Sequence, residues 1–242
     1  MPTRPRPNRT GGGSPRRPGW VALLLAVLGA VLLGCGVASQ EAAPQPPAAL
    51  TSQAPTGAPA TGSPAPSGPL PSSSTAAPTP PTGPVLPAAT PTLLDVPRLD
   101  VHHPLVELGL NPDGTVEVPP LSQVQTPGWY RYSPTPGELG PAVILGHIDS
   151  AEHGTGVFFD LGSLRPGDEV DVTRADGTVA VFAVTDVGQY PKDDFPTEVV
   201  YGDLDHAGLR LITCGGVFDA TTRDYADNIV VFADLQSSHP AG

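Results

Sequence analysis

The chain has 242 residues and a formal net charge of −12, unevenly placed: five arginines and no acid precede residue 20, whereas from residue 95 onward 7 basic face 23 acidic residues. That second part, at −16, repels phosphate backbones, which excludes nucleic acid as a partner. Residues 42–94 carry no charged and no aromatic side chain, so only about 140 residues remain to bury a core, enough for one domain.

In chain order, a basic tail (1–19) leads into WVALLLAVLGAVLLGCGVAS (20–39), which is uncharged and long enough to cross a bilayer as a helix. The arginines before it favour a cytoplasmic N-terminus and place everything after it outside. Two readings compete for this segment. It is a transmembrane signal anchor, or it is a lipoprotein signal in which Leu32-Leu33-Gly34-Cys35 presents Cys35 for lipidation. Both give a membrane-tethered extracellular domain. Residues 40–93, rich in Pro, Ala, Ser and Thr, have too little apolar bulk to offset the entropy of ordering and read as a disordered linker. As polyproline II its reach would be on the order of 160 Å.

Residues 94–236 form the foldable unit, followed by a short tail, 237–242. Turn signals are frequent: NPDG (111–114), PTPGELGP (134–141), RPGD (165–168) and ADG (175–177). Between them lie β-rich runs: AVILGH (142–147), EVDVTR (169–174), TVAVFAVTDV (178–187), LRLIT (209–213) and NIVVFADL (228–235). Alternation is strictest in Glu169–Thr173 and Val179–Val184, and Asp176-Gly177 predicts a hairpin turn. FFDLGSL (158–164) predicts one short helix. The class is all-β, a barrel or a sandwich.

Candidate chemistry begins at Cys214. It has no disulfide partner within the domain, it ends an apolar run, and Gly215-Gly216 leave the sulfur unshielded with backbone N–H groups open beside it. A nucleophile that attacks a carbonyl needs that openness and those donors. The bland alternative is a small buried apolar residue. A thiol also needs a base or cation nearby. Of six histidines, His147 stands at the end of the apolar run AVILG, where a sheet rim can bring it to a cysteine from another strand end. The others sit in loops, turns or the tail.

GHID (146–149) followed by LITC (211–214) resembles the sortases, the cysteine transpeptidases of Gram-positive surfaces. TVEVPPLSQVQTPGWYRYS (115–133), FFDLGSLRPGDEV (158–170), QYPKDDFPTEVVYG (189–202) and YADNIVVFA (225–233) are similar to the actinobacterial class F. The resemblance covers nearly all of 94–235. It implies a closed eight-stranded β-barrel with Cys214 as nucleophile and acyl carrier, His147 as general acid and base, and a catalytic arginine.

The arginine is where this sequence departs: at the start of the last strand the nearest equivalent position is Asn228. Arg223, in the loop just before, is the first candidate, and Arg210, four residues before Cys214 on the same face of the strand, is the second. Thr213, Gly215, Asn228 and Arg210 are candidates for substrate binding or oxyanion support. Lys192 is the only lysine in the chain and a conceivable self-ligation acceptor.

The implied reaction cleaves an LPXTG-like C-terminal sorting signal between Thr and Gly. The acyl group passes to a cell-wall peptide amine or a pilin lysine, with no metal or organic cofactor. Acidic residues abound, but no spacing singles out a calcium site. A cysteine hydrolase without transfer, an L,D-transpeptidase-like enzyme and a non-catalytic surface binding module are the alternatives. The last two are disfavoured by the residues before Cys214 and by the Cys–His pair.

Overall fold

The computed structural model describes residues 42–46 and 80–242. The apolar segment 20–39, including Cys35, and most of the linker lie outside these residues. Among the described residues no helix is long and apolar enough to cross a membrane. The strands are β1 Pro91–Val96, β2 Val101–Pro104, β3 Val106–Leu108, β4 Gly128–Tyr130, β5 Gly140–Leu145, β6 Asp149–Ser150, β7 Gly154–Thr155, β8 Glu169–Arg174, β9 Thr178–Pro191, β10 Ala207–Asp219 and β11 Asp224–Pro240. One short helix, α1, spans Thr197–Tyr201.

Nine strands form one sheet in the order β2-β1-β8-β9-β11-β10-β5-β4-β3, and β6 and β7 pair separately. The sheet is rolled into a nearly closed all-β barrel. The expectation of eight strands is corrected to nine. Short edge pieces such as β3, three residues long, are too brief to show an alternating pattern in sequence.

The barrel is built from runs buried on both faces. In β5, Ala142 and Ile144 point inward to a core that includes Phe158, Phe182, Leu209, Leu211, Ile229 and Val231. The intervening Val143 and Leu145 point outward, with Ile212, Val230 and Phe232, to a second cluster closed by Val200 of α1 and by Tyr190, Phe195 and Tyr201. Two-sided burial explains why β5, β10 and β11 read as nearly continuous apolar runs, whereas β8, half-exposed on one face, alternates.

The turn at Asp176-Gly177 forms as predicted, with Gly177 at φ 80° and the Thr178 N–H donating to Asp176 Oδ1 at 3.0 Å. The run 158–164 holds only a 3-10 turn, Leu161–Ser163. Two boundaries differ from the sequence reading. β10 continues through Cys214 to Asp219, because a bulge between Gly215 and Phe218, with Gly216 at φ 75°, lets the ladder resume past the glycines. Ordered structure also begins before residue 94. β1 starts at Pro91, the Thr82 N–H donates to the Asp205 carbonyl at 2.7 Å, and the buried Arg174 guanidinium donates to the Pro87 carbonyl.

Candidate active site

Cys214 lies on the outer face of β10, on the same side as Arg210 and Ile212. β5 runs parallel to β10, with Ile212 abreast of Leu145, and the Gly146 N–H donates to the Ile212 carbonyl at 3.1 Å. His147 lies two residues beyond Leu145, and Cys214 two beyond Ile212, so these residues, 67 positions apart in sequence, both follow the same end of the β5/β10 pairing.

Several contacts hold His147 there. Its Nε2–H donates to the Pro119 carbonyl at 2.5 Å, which leaves Nδ1 as the ring's proton-accepting site in this tautomer. Its backbone carbonyl accepts from the Phe158 N–H at 3.0 Å, and the Gly156 N–H donates to Ile148 at 2.7 Å. A Cβ on Gly156 would come within 2.1 Å of the His147 carbonyl oxygen, so glycine is required for this close approach. Next in line, Asp149 accepts from the Tyr225 hydroxyl at 2.6 Å. Burial, with help from the Asp149 carboxylate, holds that phenol protonated well above its ordinary range.

Cys214 is free and half-buried. Burial pushes its thiol up; the Lys192 ammonium pulls it down, and Asp224 and Asp149 push it up again. Directly across the ladder stands Asn228, which pairs with Cys214 on one side and Tyr190 on the other. Gly215 is buried, with Ile229 filling the space where its Cβ would be. The Gly216 N–H is occupied by a piece of the linker: Gln45 Oε1 accepts from it at 2.9 Å.

The remaining sequence candidates are dispersed. Arg223 sits at the exposed turn between β10 and β11, at φ 56°, and forms no ion pair among the described residues. Arg210 is buried on the outer face, stacked on the Phe232 ring at 4.6 Å, with its charge disfavoured by burial. Four residues of strand separate it from Cys214, about 13 Å. Thr213 faces the barrel interior, on the other side of the strand from the sulfur, with its hydroxyl buried.

Lys192 and Tyr225 were not assigned to the site from sequence. The available signal for Lys192 was its uniqueness and its place just after the strand that pairs with β11. Beyond the sulfur, the outer face runs past Ile212 and Leu145 to Val143, where a cleft of about 510 Å³ opens between Tyr130, Tyr201 and Leu204. Among the described residues no cluster of His, Cys, Asp and Glu is arranged to hold a metal ion.

A half-buried free thiol and an imidazole that follow the same end of a parallel strand pair make a candidate site for nucleophilic chemistry. The family comparison decides what kind. The sortase domain matches residues 94–236. The chain belongs to the sortase family. Sortases are cysteine transpeptidases. Similar solved structures include the SrtA sortase from Actinomyces oris (25% identity, covering 69% of this chain and 89% of that one, TM-score 0.47). A Clostridium perfringens sortase D5 transpeptidase is 23% identical, over 61% of this chain and 79% of that one, with TM-score 0.45. Sortase A of Listeria monocytogenes is 17% identical, over 64% and 92%, with TM-score 0.48. No curated protein matches the chain.

Proposed function

We propose that this sortase is a class F-type enzyme, tethered by residues 20–39 to the outside of the cell membrane, that transfers proteins bearing an LPXTG-like sorting signal onto a surface amine. The Cys214 thiolate attacks the carbonyl of the Thr–Gly bond. The C–N bond breaks, His147 gives a proton to the leaving amine, and a thioester remains on Cys214. An amine from cell-wall peptide or a pilin lysine then attacks the thioester. His147 accepts its proton, the new amide forms as the C–S bond breaks, and the Cys214 thiolate is released; water takes the amine's place when none is present. Backbone N–H groups near Cys214 stabilise the oxyanion.

The observation that supports this reading is the parallel β5/β10 pairing, whose last pair, Leu145 with Ile212, lies two residues before His147 on one strand and two before Cys214 on the other.

The test incubates the full chain in detergent with LPXTG-like peptides and reads the mass of the Cys214 peptide. An acyl adduct that releases a ligated product on adding triglycine, and is absent in Cys214→Ala, supports the reading. An adduct that yields only hydrolysed peptide with amine present indicates a hydrolase, and no adduct at all indicates a binding module. Arg210→Ala and Arg223→Ala are measured alongside: turnover surviving both excludes a catalytic guanidinium.

A further inference from the structure

Cys214 faces a mixed set of charges. His147 comes from the end of β5, Asp149 from β6, Lys192 from the turn after β9, and Asp224 and Tyr225 from β11, while Asn228 stands opposite across the ladder. Tyr225 stays neutral. Asp149 and Asp224 oppose a thiolate, and burial opposes it further. A cation near the sulfur favours the thiolate, and the Lys192 ammonium acts on it in that direction.

Strand register explains how Lys192 reaches the site. Tyr190 stands opposite Asn228, which is itself the cross-strand partner of Cys214, so the three lie in one row across the sheet. Lys192 follows two residues after Tyr190, just past the last β9/β11 pair, Pro191 with Asp227. The β11 residue that faces Cys214 is therefore an uncharged amide, and the segment after β9 supplies the charge. Lys192 Nζ is fixed by Asp224 Oδ1 at 2.6 Å, and the side chain is about two-thirds covered (31% exposed).

We propose that Lys192 is a catalytic residue of this sortase: its ammonium, anchored by Asp224, stabilises the Cys214 thiolate and then the negative charge that develops beside the sulfur when a carbonyl is attacked. Lys192 transfers no proton and forms no bond. His147 remains the group that carries the proton. The assignment rests on Cys214 being the nucleophile of the reaction above. It gives the chain a lysine in the place where the resemblance led to a search for an arginine.

The test has two readouts on the full chain in detergent, for wild type, Lys192→Met, Lys192→Arg and Arg223→Ala. The first is the pH dependence of Cys214 alkylation by iodoacetamide, read by peptide mass so that Cys35 does not interfere, and needing no substrate. The second is the rate of acylation by the sorting peptide. Lys192→Met should move the alkylation midpoint up by about one pH unit, a tenfold loss of thiolate near neutral pH, and slow acylation at least tenfold. Lys192→Arg should stay within about threefold of wild type, because the charge is kept.

An unmoved alkylation midpoint in Lys192→Met, or a shift found in Arg223→Ala instead, overturns the proposal while leaving the transpeptidase reading in place. A shifted midpoint in a chain whose wild type takes no sorting peptide supports the charge pairing and sinks the sorting reading. Should Lys192→Met melt early, the arginine variant still decides: a midpoint displaced by a full unit with charge retained counts against the assignment.

Discussion

Gly156 shows how narrowly His147 is held. Its Cα packs against the His147 main chain so closely that an added methyl would lie 2.1 Å from the His147 oxygen and 2.6 Å from its carbonyl carbon. Both atoms are backbone, so relief requires the strand end itself to move. Gly156→Ala should therefore cost about 1–3 kcal/mol of stability, read as a lower melting temperature. It should also cut acylation by at least tenfold while Cys214 alkylation continues at close to its normal rate. Unchanged acylation would mean that His147 does not need this anchorage. Cys214 and His147 stand out in the sequence as candidates because each is marked by its flanks, a thiol before two glycines and an imidazole after an apolar run. Lys192 stands out only as the sole lysine, and its proposed role depends on the pairing of β9 with β11, whose paired residues lie 36 or more positions apart.

The strands carry a second kind of electrostatic argument. On the face of the barrel where β1 meets β8, Asp95 and Asp171 sit directly opposite one another. His102 compensates Asp95, its Nδ1 2.7 Å from Oδ2. Asp171 has a buried oxygen with no partner, and burial, then Glu169 and Asp95, raise its pKa. A carboxyl whose folded pKa lies above its unfolded value stabilises the fold below the unfolded pKa, near 4, and loses that contribution as pH rises through the folded value. At neutral pH the charged form is thus a liability. Asp171→Asn should stabilise the protein by about 0.5–1 kcal/mol at pH ~7, raising the melting temperature by about 1–4 °C, with the gain vanishing near pH 3. A gain that persists in acid would point to packing instead of charge. In this region β8 was readable because it alternates, whereas β1, which begins inside the stretch read as linker, was not. The helix α1 was not, because five residues between Pro196 and Gly202 are too short to display a helical period. Nor was the far half of β10: a glycine pair reads as a break in sequence, but here it forms a bulge within a continuing ladder.

Across the molecule, the largest difference between composition and structure lies at the N-terminal side of the domain. A stretch without charge or aromatic bulk reads as a spacer, yet parts of it are seated on the barrel, because neighbouring groups supply the contacts its own side chains lack. Arg174 donates to Pro87, Leu86 packs on the core, and Pro44 lies so close to Gly162 that a Cβ there would meet the Pro44 oxygen at 2.3 Å. None of these partners can be inferred from the linker's composition. The same segment brings Gln45 to the bulge beside the nucleophile, where it takes the Gly216 N–H at 2.9 Å. A peptide that lies along the groove toward Cys214 must share or displace that contact. An exposed neutral hydrogen bond contributes about 0.5–1.5 kcal/mol net, so Gln45→Ala should lower KM for the sorting peptide by about two- to tenfold with kcat unchanged. The substitution touches neither the sulfur nor the imidazole, which makes a KM effect separable from a chemical one. A KM equal to wild type would show that the linker's hold on Gly216 lies outside the path of the substrate, and a fall in kcat would show instead that Gln45 helps to order the bulge.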